Sequence, residues 1–565
     1  MDMVVRGGQV ADGRGGPLYQ ADVAVQGGRI VQVGQVAEKG KVELDASGLL
    51  VTPGFVDIHT HYDGQAMWDS RFAPSSWHGV TTVVMGNCGV GFAPVRPADT
   101  DRLVELMEGV EDIPGPALHE GLDWRWESFG QYLDALERRP HDIDFAAQVP
   151  HAALRVYVMG ERASRLEMAT AEDIAQMRQL TAQAVRAGAL GVSTSRSINH
   201  RTSTGDPTPS LRAAEDELLG LALGLRDAGA GVFQIICDFE EDVEGEFALM
   251  RRLAQASGRP LSFSLMQKHK NKEGWRRLLA LTAQANAQGL RMTAQVAPRG
   301  VGVMLGLRGS RNIFTECPSY HAIAHLPLSE RVAALSEPEM RKRLLQEQQA
   351  FNDTRLGQRL VEFTNQFVFG DPPNYQPGPQ DSVAAIAARQ GRPAAEVAYD
   401  IMLSDEGKGI LYSPFANYAE GNLDVCGEML ADPNTVLGLG DGGAHVALVC
   451  DASFTTFLLS YWGKQRGAFD VGWLVKRQTA DTARVVGLND RGLLAPGMKA
   501  DINLIDLDRL DIDAPHMVFD LPAGGRRLLQ RAEGYVATIV SGEVVYREGE
   551  ATDALPGRLV RSTPR

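Results

Sequence analysis

Cysteine is scarce in this chain. Five in 565 residues, at positions 88, 237, 317, 426 and 450, are too few and too widely spaced for a disulfide framework. Most read as buried thiols. Basic charge is also in deficit, with 56 Lys and Arg against 71 Asp and Glu, and a net charge of -15 excludes the clustered cationic surface that phosphate backbones require. Nucleic acid is therefore not an expected partner. No run of about eighteen uninterrupted apolar residues occurs, and Met1–Arg6 does not lead into one, so neither a membrane span nor export is indicated. The expectation is an acidic soluble enzyme in the cytoplasm. Internal repeats and low-complexity tails are missing as well.

What is present is a globular composition, 44% apolar, in a chain longer than one ordinary core. Residues 1–52 alternate apolar and polar around glycine turns, as in Val4–Val10 and Val23–Val33, and residues 491–565 do the same in Ala500–Ile505 and Val536–Tyr546. Both ends are expected to build one small β domain. Between them, over 53–490, strand-like and helix-like stretches alternate: Asp144–Val149, Gly231–Ile236, Leu261–Leu265, Met292–Val296 and Val436–Leu439 as strands, Ala171–Ala187 and Glu215–Ala228 as helices. That alternation predicts an α/β fold, a (β/α)8 TIM-like barrel with its chemistry at the C-terminal strand ends. The stretch from about 300 to 430, with the loop-forming cluster Pro372–Pro379, is too long for one βα unit and is expected to be a helical insertion shaping substrate access.

The most informative motif is His59-Thr60-His61 after the apolar run Phe55, Val56, Ile58. Side chains two apart on a strand share a face, so the two imidazoles can grip one divalent ion. An isolated His-X-His is more often just two polar residues closing a strand; the surroundings decide here. Cys88 ends the apolar run Thr82–Met85 ahead of Gly89, which turns a potential thiolate ligand toward the same strand ends. Asp441 ends another apolar strand before Gly442-Gly443, where a loop can approach a ligand closely. A carboxylate there can take a proton from an activated water and pass it to a leaving amine. His445, four residues on, either orients substrate or closes the loop.

Pro53–His61 resembles the first-strand signature of the metal-dependent amidohydrolases, and Tyr62-Asp63 after it resembles the N-acyl-D-amino-acid deacylase (D-aminoacylase-like) branch. Thr81–Pro94, Gly188–Ser195 and Gly438–His445 are similar to the second-, fourth- and eighth-strand segments of that branch, in family order. The resemblance implies a barrel beside a composite β-sandwich, a divalent metal, most readily zinc, with Cys88 as a ligand beside His59, His61 and Asp441, and Asp441 as the catalytic carboxylate. It also implies that Lys268 contacts a substrate carboxylate. Typical members end the fifth strand with a metal-binding histidine in His-Met-Arg and the sixth in Ser-His-His-Lys. Here the stretches read Gln234–Phe239 and Ser264–His269, with Cys237 and Met266 near the replaced positions, so one ion is expected rather than two. Cys237 offers a soft substitute ligand; Asp238, Gln267 and His269 are local alternatives without a spacing argument. The arginine-bearing segment after the eighth strand is replaced by Val446–Asp451.

These readings converge on metal-assisted hydrolysis of an amide C–N bond in an N-acyl (D-)amino acid or similar small carboxylate, with a homo-oligomer compatible with the sequence and no membrane partner. A cyclic amide or ester substrate keeps the same chemistry. From another class, a catalytically silent barrel that binds a small molecule or a protein stays open, since fold alone does not settle function.

Overall fold

The computed structural model describes residues 1–239, 242–351 and 355–562. Strands from both chain ends share one nine-stranded sheet. Its seam is the antiparallel pairing of Leu50–Pro53 with Ile502–Ile505, flanked on the N-terminal side by Met3–Val10, Tyr19–Gln26 and Arg29–Gly34 and on the C-terminal side by Tyr535–Val540 and Glu543–Arg547. The alternation in the sequence buries one face: Val5, Val10, Val23, Val25, Ile502 and Ile539 form its own apolar core.

Between these ends lie two parallel sheets. Phe55–Asp57, Val80–Met85 and Asp144–Ala147 form the first. Val149–Pro150, Gly191–Arg196, Val232–Cys237, Leu261–Ser264, Met292–Val296 and Thr435–Leu437 form the second, in that spatial order. Every residue of Val80–Met85 is buried, as expected for a parallel strand covered on both faces. Asp144–Ala147 runs on directly into Val149–Pro150, so Gln148 links the sheets; its amide donates to Met85 O at 2.9 Å. At the other end Thr60 and Gly442 form a parallel bridge, and the Asp441 amide donates to His59 O at 2.9 Å. The segment after the last strand is thereby stitched to the segment after the first.

The helices between the strands follow local rules. Ala171–Ala187 starts at Thr170, whose hydroxyl accepts from the Asp173 amide while Asp173 reaches back to the Thr170 amide, a reciprocal capping box. It packs closely on Glu215–Ala228 because Gly220 and Gly224 have no side chain there: a Cβ on Gly220 would lie 2.7 Å from Ile174 Cγ2. Residues 300–430 are not the purely helical insertion that their length predicts. Helices such as Leu328–Ser336 and Ala394–Gly407 are joined by a three-stranded antiparallel sheet, Val301–Gly306, Ile410–Ala416 and Phe367–Val368. Gly-Val-Met and Tyr-Ser-Pro segments of that sheet lack strict two-residue alternation, which hid them. Among the described residues no helix is long and apolar enough to cross a membrane.

Candidate metal centre

His59 and His61 emerge just past Phe55–Asp57 and are both buried. Each backbone position between them is tied down: the His59 amide donates to Asp57 Oδ1 at 3.0 Å, Thr60 to Val84 O at 3.1 Å and His61 to Gly442 O at 2.8 Å. The rings stand side by side, centroids 5.6 Å apart. Cys88 reaches them from the turn after Val80–Met85. Asn87 holds that turn, its amide nitrogen donating to Thr60 O and Val84 O, and the Cys88 amide donates to Gln234 Oε1. His59 Nε2 and Cys88 Sγ are 3.3 Å apart, and the ligand atoms of His59, His61 and Cys88 all lie within 4.8 Å of one another.

Asp441 arrives from the opposite side. Its Oδ1 lies 3.3 Å from His59 Nε2 and 3.6 Å from His61 Nε2, yet it is buried without a hydrogen-bond partner. Gly442 permits this approach, since a Cβ there would fall 2.4 Å from Ser75 Oγ and 2.7 Å from Tyr62 Oη. Cys88, Leu439, Asp441 and His445 all adopt positive φ, between 46° and 60°, without being glycine. Left-handed backbone at such residues costs on the order of 1–3 kcal/mol each and is retained where a site needs it.

Two further side chains fix the imidazoles, and the sequence reading missed both. Gln295 Oε1 is 2.7 Å from His59 Nδ1, while its amide nitrogen donates to Ser262 Oγ at 3.1 Å. That orientation makes Nδ1 the protonated nitrogen and leaves the Nε2 lone pair toward the cluster. Glu111, at the end of the helix Thr100–Glu111, is buried with Oε1 3.2 Å from His61 Nδ1 and Oε2 3.7 Å from His445 Nε2. Its backbone carbonyl accepts from the His445 amide. Gln295 shares the inward parity of its strand and was discoverable from that; Glu111 ends an amphipathic helix, and no local signal points it inward.

The electrostatics follow from burial and from the charges these groups place on one another. Burial pushes the Cys88 thiol up to about 12. It pushes the His59 imidazole down. On His61 burial opposes charge, but Glu111 and Asp441 outweigh it and hold the ring well above its ordinary value. Burial likewise opposes the Asp441 carboxylate, and the two histidines outweigh it, holding the group well below the usual range. Two imidazole nitrogens, one sulfur and an orphaned carboxylate oxygen are a donor set that suits zinc or a similar borderline ion.

Other sequence candidates fall elsewhere. Cys237 is not a substitute ligand: it pairs in register with Arg196 and its thiol meets Glu246, which Arg196 also grips, on the outer face of the sheet. Strand parity puts Ile236, not Cys237, on the side of Gln234 and Cys88. Met266 packs with Ala297, Val301, Ala416, Leu439 and Phe454. Gln267 is used up by Asn417, Glu420 and Lys272. Asp238 ties down residues 197–199, accepting from Ser197 Oγ and the Ile198 amide at 2.8 Å. His269 is half-buried beside Glu362 and Glu420. Lys268 sits in the turn after Leu261–Ser264, bridged through its backbone to Asn271 and Ala416. A cleft of about 410 Å³ opens on Asp441, lined further by Gly443, Asp451, Ser453, Arg527 and Gln530. It meets the cluster only at Asp441.

A chain with parallel βα units, a two-ended β-sheet and a buried His-X-His, Cys and Asp cluster at the strand ends has the form of a metal-type hydrolase. The family model described as "Amidohydrolase family" matches residues 42–546, and the chain belongs to that family, an enzyme of the amidohydrolase class. Among curated relatives, D-aminoacylase of Alcaligenes xylosoxydans xylosoxydans is 27% identical over 565 residues, covering 100% of this chain and 98% of its own. A solved D-aminoacylase, from work on the functional role of its binuclear metal centre, superposes with TM-score 0.67 at 24% identity over 99% of this chain and 100% of that one. N-acyl-D-glutamate deacylase of Bordetella bronchiseptica, solved with zinc and a phosphonate inhibitor, gives TM-score 0.64 at 23% identity over 100% of both chains.

Proposed function

We propose that the protein is a zinc-dependent deacylase of N-acyl amino acids, of D configuration, that works with one ion held by His59, His61, Cys88 and Asp441. The observation that carries this is Asp441 Oδ1, buried and unbonded, 3.3 Å and 3.6 Å from the two imidazoles. We infer further that the eight parallel segments close into a (β/α)8 barrel over 53–490, with residues 1–52 and 491–565 as the β-sandwich beside it. The bonds from Asp441 and Gly442 to His59–His61 support closure. The names of the relatives, D-aminoacylase and N-acyl-D-glutamate deacylase, support the substrate class. The single ion is supported by Cys237, turned away beside Glu246, and Met266, packed among apolar side chains, where the family resemblance puts histidines.

Bound there, the ion supplies the Lewis acid that polarises the amide carbonyl and acidifies water. Asp441 accepts the proton of the attacking water and delivers it to the departing nitrogen. Gln295 keeps His59 in the tautomer that leaves Nε2 free, and Glu111 sets its carboxylate charge 3.2 Å from His61 Nδ1. Left-handed backbone at Cys88 and Asp441 presents their side chains from facing turns.

The test is hydrolysis of N-acetyl-D-leucine by zinc-loaded protein, followed by release of free amine. Turnover that Asp441→Asn abolishes is expected; no turnover of any N-acyl amino acid by the zinc-loaded protein would sink the proposal.

A further inference from the structure

The loop packed behind the Cys88 turn contains an imidazole that the proposed chemistry leaves unused. His200 lies in the loop after Gly191–Arg196, and its Nδ1 is 2.9 Å from Ser195 Oγ. Ser195 is itself pressed against the Cys88 turn: a Cβ on Gly89 would meet the Ser195 backbone nitrogen at 3.1 Å. The loop is pinned rather than loose, because Asp238 accepts from Ser197 and Ile198, and the Ser197 amide donates to Ser195 Oγ at 3.2 Å.

That last bond decides the tautomer. The Ser195 oxygen already accepts from the Ser197 amide, and its one proton has no other acceptor among the described residues, so it donates to His200 Nδ1. His200 then carries its proton on Nε2, which has no hydrogen-bond partner among the described residues and belongs to a half-buried ring. Burial pushes this imidazole down to about 4, and His445, His61 and Asp441 are near enough to act on it electrostatically. It is thus a neutral, fixed N–H donor beside the cluster.

A carboxylate substrate needs such donors. No lysine or arginine occurs between Asp441 and Lys464, and Arg527, which lines the cleft at Asp441, is already paired with both carboxylate oxygens of Asp520.

We propose that His200 is a specificity-determining residue whose Nε2–H, oriented by Ser195, donates to the carboxylate of the N-acyl amino acid. This rests on the deacylase reading for its substrate class. It predicts discrimination between an acid and its neutral amide.

The experiment compares N-acetyl-D-leucine with N-acetyl-D-leucinamide on zinc-loaded wild type and His200→Ala. Half-saturation is read by titration calorimetry, or as KM where the compound is turned over. Wild type should bind the acid about tenfold more tightly than the amide, the size of one hydrogen bond to a charged group. In His200→Ala the ratio should fall to about one, with zinc content unchanged and His200→Gln restoring part of it. Should His200→Ala not fold, Ser195→Ala decides by the same ratio. A ratio that survives the substitution, or is already one in wild type, overturns the assignment. Turnover by wild type judges the deacylase reading separately.

Discussion

At the scale of residues, the site is built in two shells of contact. His59 and His61 hold the centre, while Gln295 and Glu111 hold the histidines. Replacing such a supporting group usually lowers metal affinity 10–100-fold. Gln295→Leu and Glu111→Gln should each weaken zinc binding by about that factor in a chelator competition; unchanged affinity in both would show that the imidazoles need no support. His59→Asn removes a proposed ligand and should lower zinc affinity by at least the same factor and abolish amide hydrolysis. The grouping of His59, His61, Cys88 and Asp441 was legible in the sequence because alternation on a strand and convergence at C-terminal strand ends bring them together, and the family resemblance decided that they form a site. Cys237 was misjudged because alignment to a motif was followed where parity should have been; one position on a strand reverses the face. Glu111 could not be read, because it is placed by where a helix stops against another loop, which is a tertiary fact.

At the scale of elements, the helix Ala171–Ala187 was legible almost to the residue. Apolar spacing gave its body, and the structure adds the reciprocal cap of Thr170 and Asp173 at its start. Thr170→Ala should therefore lower stability by about 1 kcal/mol in chemical denaturation without changing zinc affinity. A neutral result would mean that packing on Glu215–Ala228 alone holds the first turn. The strand Met292–Val296 also matches its sequence boundaries, being a short apolar run between a glycine turn and Pro298. The antiparallel sheet at Val301–Gly306 and Ile410–Ala416 did not show, since its pairing joins segments more than a hundred residues apart and no hairpin turn connects them.

At the scale of the whole molecule, the β-sheet and the parallel strands are locked by buried charge. Asp144 accepts from Arg491 at 2.7 Å and lies 2.8 Å from Lys499 Nζ, and all three are mostly buried. Arg491 keeps Asp490 and Lys499 keeps Asp501 when Asp144 is removed, so Asp144→Ala should lose about 1–3 kcal/mol of unfolding free energy. A loss below about 1 kcal/mol would show water reaching the pair. His78, buried between Thr456 Oγ1 and Gln530 O, adds an acid sensitivity. Burial lowers it from 6.5 to about 4, so the unfolded chain takes up its proton first. Its contribution is complete above pH 6.5, fades as pH falls toward 4 and is flat below, amounting to about 3 kcal/mol over that interval. Denaturation midpoints of His78→Gln should decline less between those values than wild type; parallel curves would remove His78 as the cause. The parallel bridge of Thr60 and Gly442 brings Asp441 to the histidines across about 380 residues of chain. Zinc-edge absorption fine structure on the purified protein tests that meeting most directly: the account predicts one zinc per chain with a single sulfur neighbour at about 2.3 Å, lost in Cys88→Ser, and nitrogen or oxygen otherwise. A zinc shell without sulfur, or no stoichiometric binding, would contradict it.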